Sequence, residues 1–199
     1  MDTIILAGGQ SSRMGTNKAL LPFGKQRVID RLINEFSPVS NKILLVTNQP
    51  EEYKDLHVSI LTDHMEFKGQ GPLAGIYTGL NEAVSSQCLV VACDMPFAAN
   101  DMSRWFIHEM ELGDYDAVIP SYHGRLHPLF GAYQTRIQEP IRNCLLSKKR
   151  RMTDLFNHIN IKIVEQHDAP VFLQNQWENS LWNMNTMEDY KQALKKIAE

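Results

Sequence analysis

Ile4-Ile5-Leu6-Ala7-Gly8-Gly9-Gln10-Ser11-Ser12-Arg13-Met14-Gly15-Thr16-Asn17-Lys18 stands almost at the start of the chain and decides its fold. An apolar run of strand length breaks into a glycine-rich loop, and an arginine and a lysine follow. Adjacent glycines let main-chain N–H groups approach an anion with no Cβ in the way. Successive amides in such a loop form a concave anion nest, to which Arg13 and Lys18 add full positive charge. These are the parts of a triphosphate site. The spacing is neither of the two commonest phosphate loops. Gly15 is followed by Thr16 where a Walker A loop has Lys, and no G-x-G-x-x-G occurs.

The rest of the composition sets bounds around that loop. A chain of 199 residues suits one α/β domain with a real core. At 43% hydrophobic and 22% charged residues it reads as globular. A net charge of −3 gives no reason to expect a nucleic-acid or membrane partner. No apolar run reaches the length of a membrane span, and no basic region precedes the first strand, so no signal peptide is expected. Cys88, Cys93 and Cys144 are odd in number and lack C-x-x-C spacing, which points to free thiols in a reducing, cytoplasmic setting.

Working outward from the loop, strands and helices alternate. Buried strands are expected at 3–6, 42–46, 58–61, 88–92 and 117–119, the last ended by Pro120. Helices are expected where Val28, Leu32, Ile33 and Phe36 share a face, over 73–83, and over 101–112 before Gly113. This rhythm gives an α/β, Rossmann-like fold with a mostly parallel sheet flanked by helices. After Tyr122 the rhythm breaks into hairpin strands over 125–133, helices over 141–146 and 153–158, and a strand over 159–164. Thr186 reads as the N-cap of a last helix, with Asp189 at its third position. Polar signals cluster at four strand ends: Gly8-Gly9, Thr47-Asn48, Asp63 and Asp94-Met95-Pro96. In open parallel sheets ligands bind outside those carboxyl ends.

The motifs together resemble the molybdenum cofactor guanylyltransferase family. They are Leu6-Ala7-Gly8-Gly9 with Ser12-Arg13-Met14-Gly15 and Lys18, Gly71-Pro72-Leu73-Ala74-Gly75, Cys93-Asp94-Met95-Pro96-Phe97, His127-Pro128, and Asn183-Met184-Asn185-Thr186, in that order. The resemblance spans nearly the whole chain. It implies a nucleotidyltransferase fold, transfer of GMP from GTP to molybdenum-molybdopterin with release of pyrophosphate, and use of Mg²⁺. Residues 1–199 then form a single nucleotidyltransferase domain, with 1–120 mainly the nucleotide-binding half and 121–199 mainly the acceptor half. Asn17 stands where many members have Asp, and Met187 where Pro is usual.

On this resemblance the catalytic residues are Arg13, Lys18 and Asp94. The nucleotide is met by Leu6, Ala7, Gly8, Gly9, Lys18, Asn48, Asp63, Gly71 and Asp94. Amides at 7–9 hold phosphates with Arg13 and Lys18. Asp94 is the expected metal ligand, since Mg²⁺ keeps most of its waters and takes one or two carboxylates beside substrate phosphates. Asp63 offers a carboxylate to guanine N–H groups or ribose hydroxyls, and the alternative is a simple turn Asp. Arg125, His127, Asn183 and Asn185 are assigned to the acceptor. Lys148-Lys149-Arg150-Arg151 either meets an acceptor phosphate or forms a solvated face. His123 and His127 do not read as a zinc pair, because Gly124 and Pro128 break a shared helix. Trp105, Phe106 and Trp177 read as packing.

Two other readings stand beside this one. A cytidylyltransferase of the same cofactor carries a serine-containing loop and Asp-Gln-Pro in place of 71–75 and 94–96, and a sugar-phosphate nucleotidyltransferase shares the first motif. A non-catalytic nucleotide-binding regulatory module would lack Arg13, Lys18 or Asp94. The expected setting is cytoplasmic and monomeric, with GTP and molybdenum-molybdopterin as substrates. Molybdenum-insertion proteins and apo-molybdoenzymes are the expected partners.

Overall fold

Ile4, Ile5 and Leu6 are all buried, so strand β1 (Asp2–Leu6) is covered on both faces, as a central parallel strand requires. The computed structural model describes residues 1–8 and 17–197. In chain order there follow β2 (Pro22–Phe23), β3 (Gln26–Arg27), α1 (Val28–Phe36), β4 (Ile43–Val46), β5 (Ser59–Leu61), α2 (Pro72–Glu82) and β6 (Gln87–Ala92). The second half holds α3 (Asn100–Leu112), β7 (Ala117–Tyr122), β8 (Arg125–Leu126), β9 (Phe130–Gln134), α4 (Gln138–Leu146), α5 (Met152–Phe156) and β10 (Ile161–Val164). It ends with α6 (Val171–Gln174), α7 (Trp177–Ser180) and α8 (Met187–Lys196).

The main sheet runs β10-β7-β9-β6-β1-β4-β5, with β8 paired to β7. All main neighbours are parallel except β9, which lies antiparallel between β6 and β7. Alternation along β1 splits the core. Ile5 joins the helices α1, α3, α6, α7 and α8 on one face, and Ile4 and Leu6 join α2, α4 and α5 on the other. The expected fold class is therefore what the chain adopts. Trp105, Phe106 and Trp177 are buried in the first cluster, as expected of packing. The three cysteines are free and buried, and burial pushes the Cys88 thiol up to about 12.

Most element ends fall within a few residues of the expectation. Pro120 does not end its strand: β7 continues to Tyr122. A strand residue's nitrogen and carbonyl face the same side. The Pro120 carbonyl accepts from the His127 amide at 2.9 Å, so its ring nitrogen points away from β10, and the β10 ladder loses no donor. The hairpin then turns on His123 and Gly124, both with positive φ (50° and 73°), the signature of a two-residue type I′ turn. That turn, not a helix, separates His123 from His127. The hairpin β2–β3 and the short helices α6 and α7 were not expected from sequence.

Helix α2 lies almost on the sheet. A Cβ at Gly79 would come within 2.6 Å of Ile4 Cγ2. This close approach brings the start of α2, behind Gly71 (φ 84°) and Pro72, against the ends of β1 and β4. Thr186 caps α8 through a reciprocal box with Asp189, so Met187 at the first helical position costs only the preset φ of Pro. No described helix is long and apolar enough to cross a membrane.

Candidate active site

Strand register levels the site. Leu6 lies opposite Val46 and Ala92, and Val46 lies opposite Leu61. Two residues beyond each stand Gly8, Asn48, Asp94 and Asp63, side by side on one rim. The four polar strand ends expected from sequence are thus brought together by pairing alone.

Two groups of side chains occupy that rim. In the first, the Asn48 amide donates to Asp63 Oδ2 at 2.8 Å, and the Gly69 amide donates to the same oxygen at 3.0 Å. Asp63 therefore steers the loop before α2, and its turn role and its site position coincide. The Oδ1 atoms of Asp63 and Asn48 make no hydrogen bond among the described residues, which leaves acceptors at the mouth of the glycine loop. Gly71 ends this loop, and the helix behind it passes so near that a Cβ at Gly75 would lie 3.0 Å from Leu6 and 3.9 Å from Asp63 Oδ1.

The second group surrounds Asp94. The turn that carries it is tied from four sides. The Cys93 amide donates to the Leu6 carbonyl at 3.1 Å and the Met95 amide to the Ala92 carbonyl at 3.1 Å. The Arg31 guanidinium donates to the Pro96 carbonyl at 2.7 Å, and the Met184 amide to the Asp94 carbonyl at 2.6 Å. The carboxylate does not cap a helix, since the N-cap of α3 is Ala99. Burial raises the Asp94 pKa, and the positive charges of Lys18 and Arg125 pull only part of the way back. A carboxylate held at a net desolvation cost beside two cations suits a site completed by a cation and phosphates.

Lys18 opens a short 3-10 turn and donates to the Met184 carbonyl at 2.9 Å. Met184 thus bonds with its amide to Asp94 and with its carbonyl to Lys18. Its side chain is buried, while Asn183 and Asn185 on either side are half-exposed, as alternation in an extended segment expects. Arg125 is exposed on β8, and its charge reaches both Asp94 and His127. Burial first, and Arg125 second, push the His127 pKa below its ordinary value, which keeps the imidazole neutral at pH 7.

Three expectations need correction or placing. The Ala7 amide cannot serve the anion nest, because it donates to the Val46 carbonyl at 2.9 Å within the β1–β4 ladder. Gly9 and Arg13, with the rest of 9–16, lie outside the described residues. Lys148 to Arg151 are exposed after α4, and no hydrogen bond or ion pair among the described residues links them to Lys18 or Asp94. Sequence reasoning missed the main-chain bridge at Met184 and the contacts of Asn17. Nothing local signals a link between positions 166 residues apart. No group of three or more His, Cys, Asp or Glu able to hold a metal occurs among the described residues.

A mostly parallel sheet with glycines, a lysine and a strand-end aspartate on one rim fits the nucleotidyltransferase class. The chain belongs to the family of the MobA-like NTP transferase domain, whose model matches residues 3–168. It is 38% identical to a probable molybdenum cofactor guanylyltransferase of Carboxydothermus hydrogenoformans, over 96% of this chain and 93% of that one. A protein of the same description from Clostridium perfringens strain 13 is 33% identical over 96% and 95%. Among solved structures, molybdopterin-guanine dinucleotide biosynthesis protein A of Archaeoglobus fulgidus superposes with a TM-score of 0.86 at 22% identity, over 100% of this chain and 99% of that one. The 2-C-methyl-D-erythritol 4-phosphate cytidylyltransferase of Thermus thermophilus shares the fold at a TM-score of 0.72 and 14% identity, over 100% and 99%.

Proposed function

We propose that this protein transfers GMP from GTP to molybdenum-molybdopterin and releases pyrophosphate. The observation that carries the reading is the Met184 bridge, which joins the nucleotide-side residues Lys18 and Asp94 to the segment bearing Asn183 and Asn185. The guanylyltransferase description of the relatives supports the choice of base and acceptor.

In this reaction an oxygen of the acceptor's phosphate attacks the α-phosphorus of GTP. The bond to the bridging oxygen breaks, and pyrophosphate leaves. Phosphoryl-type transfer needs positioning and charge neutralisation more than covalent chemistry from the protein. Lys18 neutralises charge that develops on the leaving pyrophosphate, with Arg13 in support. The oxygens of Asn48 and Asp63 read the nucleoside beside the Gly71 loop. Arg125 draws the acceptor phosphate toward Asp94, and His127, neutral, offers a hydrogen bond without adding charge. Asn183 and Asn185 present amides to the donor and acceptor edge of the pterin. Asp94 would hold Mg²⁺ together with the nucleotide phosphates, and the metal would supply charge neutralisation there.

The same reading makes residues 1–120 mainly the nucleotide half and 121–199 mainly the acceptor half. It places a monomer in the cytoplasm, beside molybdenum-insertion proteins and apo-molybdoenzymes. The test is competition among the four nucleotides, read as kcat/KM with molybdenum-loaded pterin. GTP is expected to lead by roughly 10⁴ over a base lacking the N1–H and N2–H₂ donors. Preference for CTP would move the protein to the cytidylyltransferase reading.

A further inference from the structure

Asn17 immediately precedes Lys18, and its side chain is fully engaged. Its amide donates to Glu52 Oε2 at 2.6 Å and to the Tyr53 hydroxyl at 2.9 Å. Its carbonyl oxygen accepts from the Ala19 amide at 3.2 Å and lies 3.2 Å from the same hydroxyl. Tyr53 is fully buried in the core cluster, so the anchor is rigid. Both partners lie on the 3-10 turn Pro50–Tyr53, just beyond Asn48. The chain just beyond that turn is tied to α1, since Arg27 donates to Asp55 Oδ2 at 2.6 Å and to Asp30 Oδ1 at 2.8 Å.

We propose that Glu52 and Tyr53 are positioning residues that act through Asn17 to fix the backbone of Lys18. The inference rests on the phosphate role proposed for Lys18. Lys18 is then held at both ends, its main chain through Asn17 and its ammonium at Met184. The latch also joins the segment after β4, which bears Asn48, to the exit of the phosphate loop, so nucleoside and phosphate contacts keep one spacing. The partners also favour Asn over Asp at this position. A carboxylate at 17 would face the Glu52 carboxylate at hydrogen-bond distance, with no donor between them.

The test is a charge exchange in the full-length protein. Asn17→Asp is expected to lower kcat/KM for GTP on the order of 10²-fold through misplacement of Lys18, with KM for the acceptor unchanged. Adding Glu52→Gln returns a donor to the pair and is expected to restore most of the loss, which a general folding defect at position 17 would not do. Parent-level kcat/KM in Asn17→Asp overturns the proposal. So does a double variant no better than Asn17→Asp. Should that variant fold poorly, Tyr53→Phe carries the test without charge, with about a tenfold loss expected and parent-level activity overturning it. Affinity for the magnesium nucleotide, by titration calorimetry, is read beside turnover. If the parent prefers CTP, the guanine reading falls and the latch is tested on CTP unchanged.

Discussion

The Lys18 ammonium donates to the main-chain oxygen of Met184 at 2.9 Å, across 166 positions of sequence. A lysine that fills no core is thereby tied to the segment bearing Asn183 and Asn185. The bond keeps the ammonium where its charge acts on Asp94.

Lys18→Ala is therefore expected to fold and to lose transfer. The cost is on the order of 2–4 kcal/mol in transition-state stabilisation, that of one lost electrostatic donor. Single-turnover pyrophosphate release, with circular dichroism as the folding control, measures it. Near-parental turnover at saturating Mg²⁺ would remove Lys18 from the site.

Asp94→Asn separates stability from activity. Burial raises the folded-state pKa of Asp94, so its ionised form is a net cost to the metal-free fold. The sign follows: the folded protein holds its proton to a higher pH than the unfolded chain, so stability falls as pH rises through the carboxyl range. The metal-free variant is expected to gain roughly 1 kcal/mol at pH 7, a Tm rise of about 2–4 °C. The gain disappears below the ordinary carboxyl pKa, where the parent is protonated too. Its transfer activity should be lost at every Mg²⁺ concentration. Saturation at the parent's metal concentration and rate would show that Asp94 is not the ligand.

His127 supplies the opposite pH dependence. Its folded pKa is depressed, by burial and then by Arg125, below the ordinary 6.5. Above that value folded and unfolded states are both neutral. Below it the unfolded chain takes up a proton that the folded protein resists, so stability drops as pH falls. The parent should lose more Tm between pH 7.5 and 5.5 than His127→Gln, and the imidazole resonance should titrate with a midpoint under 6.5. A midpoint above 6.5 would contradict the neutral assignment.

Gly79→Ala tests the contact between α2 and the sheet. Its Cβ would lie 2.6 Å from Ile4 Cγ2 and 2.8 Å from Cδ1, in a side chain with no exposure. Overpacking of about 1–3 kcal/mol is expected to exceed the gain of roughly 1 kcal/mol in helix propensity. Chemical denaturation should show net destabilisation, partly relieved by Ile4→Val. A more stable Gly79→Ala protein would mean that α2 shifts freely.

Sequence carried the fold of the first half of the chain well, because its signals are local. A buried strand followed by glycines or a lone carboxylate marks its own end, and four such ends imply a common rim. It failed where the cause is distant. β9 reads as one arm of a hairpin, yet it pairs with β6 along five positions and sits inside the parallel sheet. Pro120 reads as a stop because its nitrogen cannot donate, but whether a donor is needed depends on which neighbour that nitrogen faces. The Ala7 amide looked available until its ladder partner Val46 was known. Nothing local at Asn17 points to its partners Glu52 and Tyr53, which are 35 and 36 positions away.

The reversed direction of β9 bears on how such a scaffold diversifies. Because β9 starts at the rim, the chain from Tyr122 to Phe130 stays there and needs no crossover helix to return. Arg125 and His127 ride on that excursion. Insertions or replacements within it leave the register of β1, β4, β5 and β6 untouched, so the side chains it carries can change while the rim of Gly8, Asn48, Asp63 and Asp94 keeps its spacing.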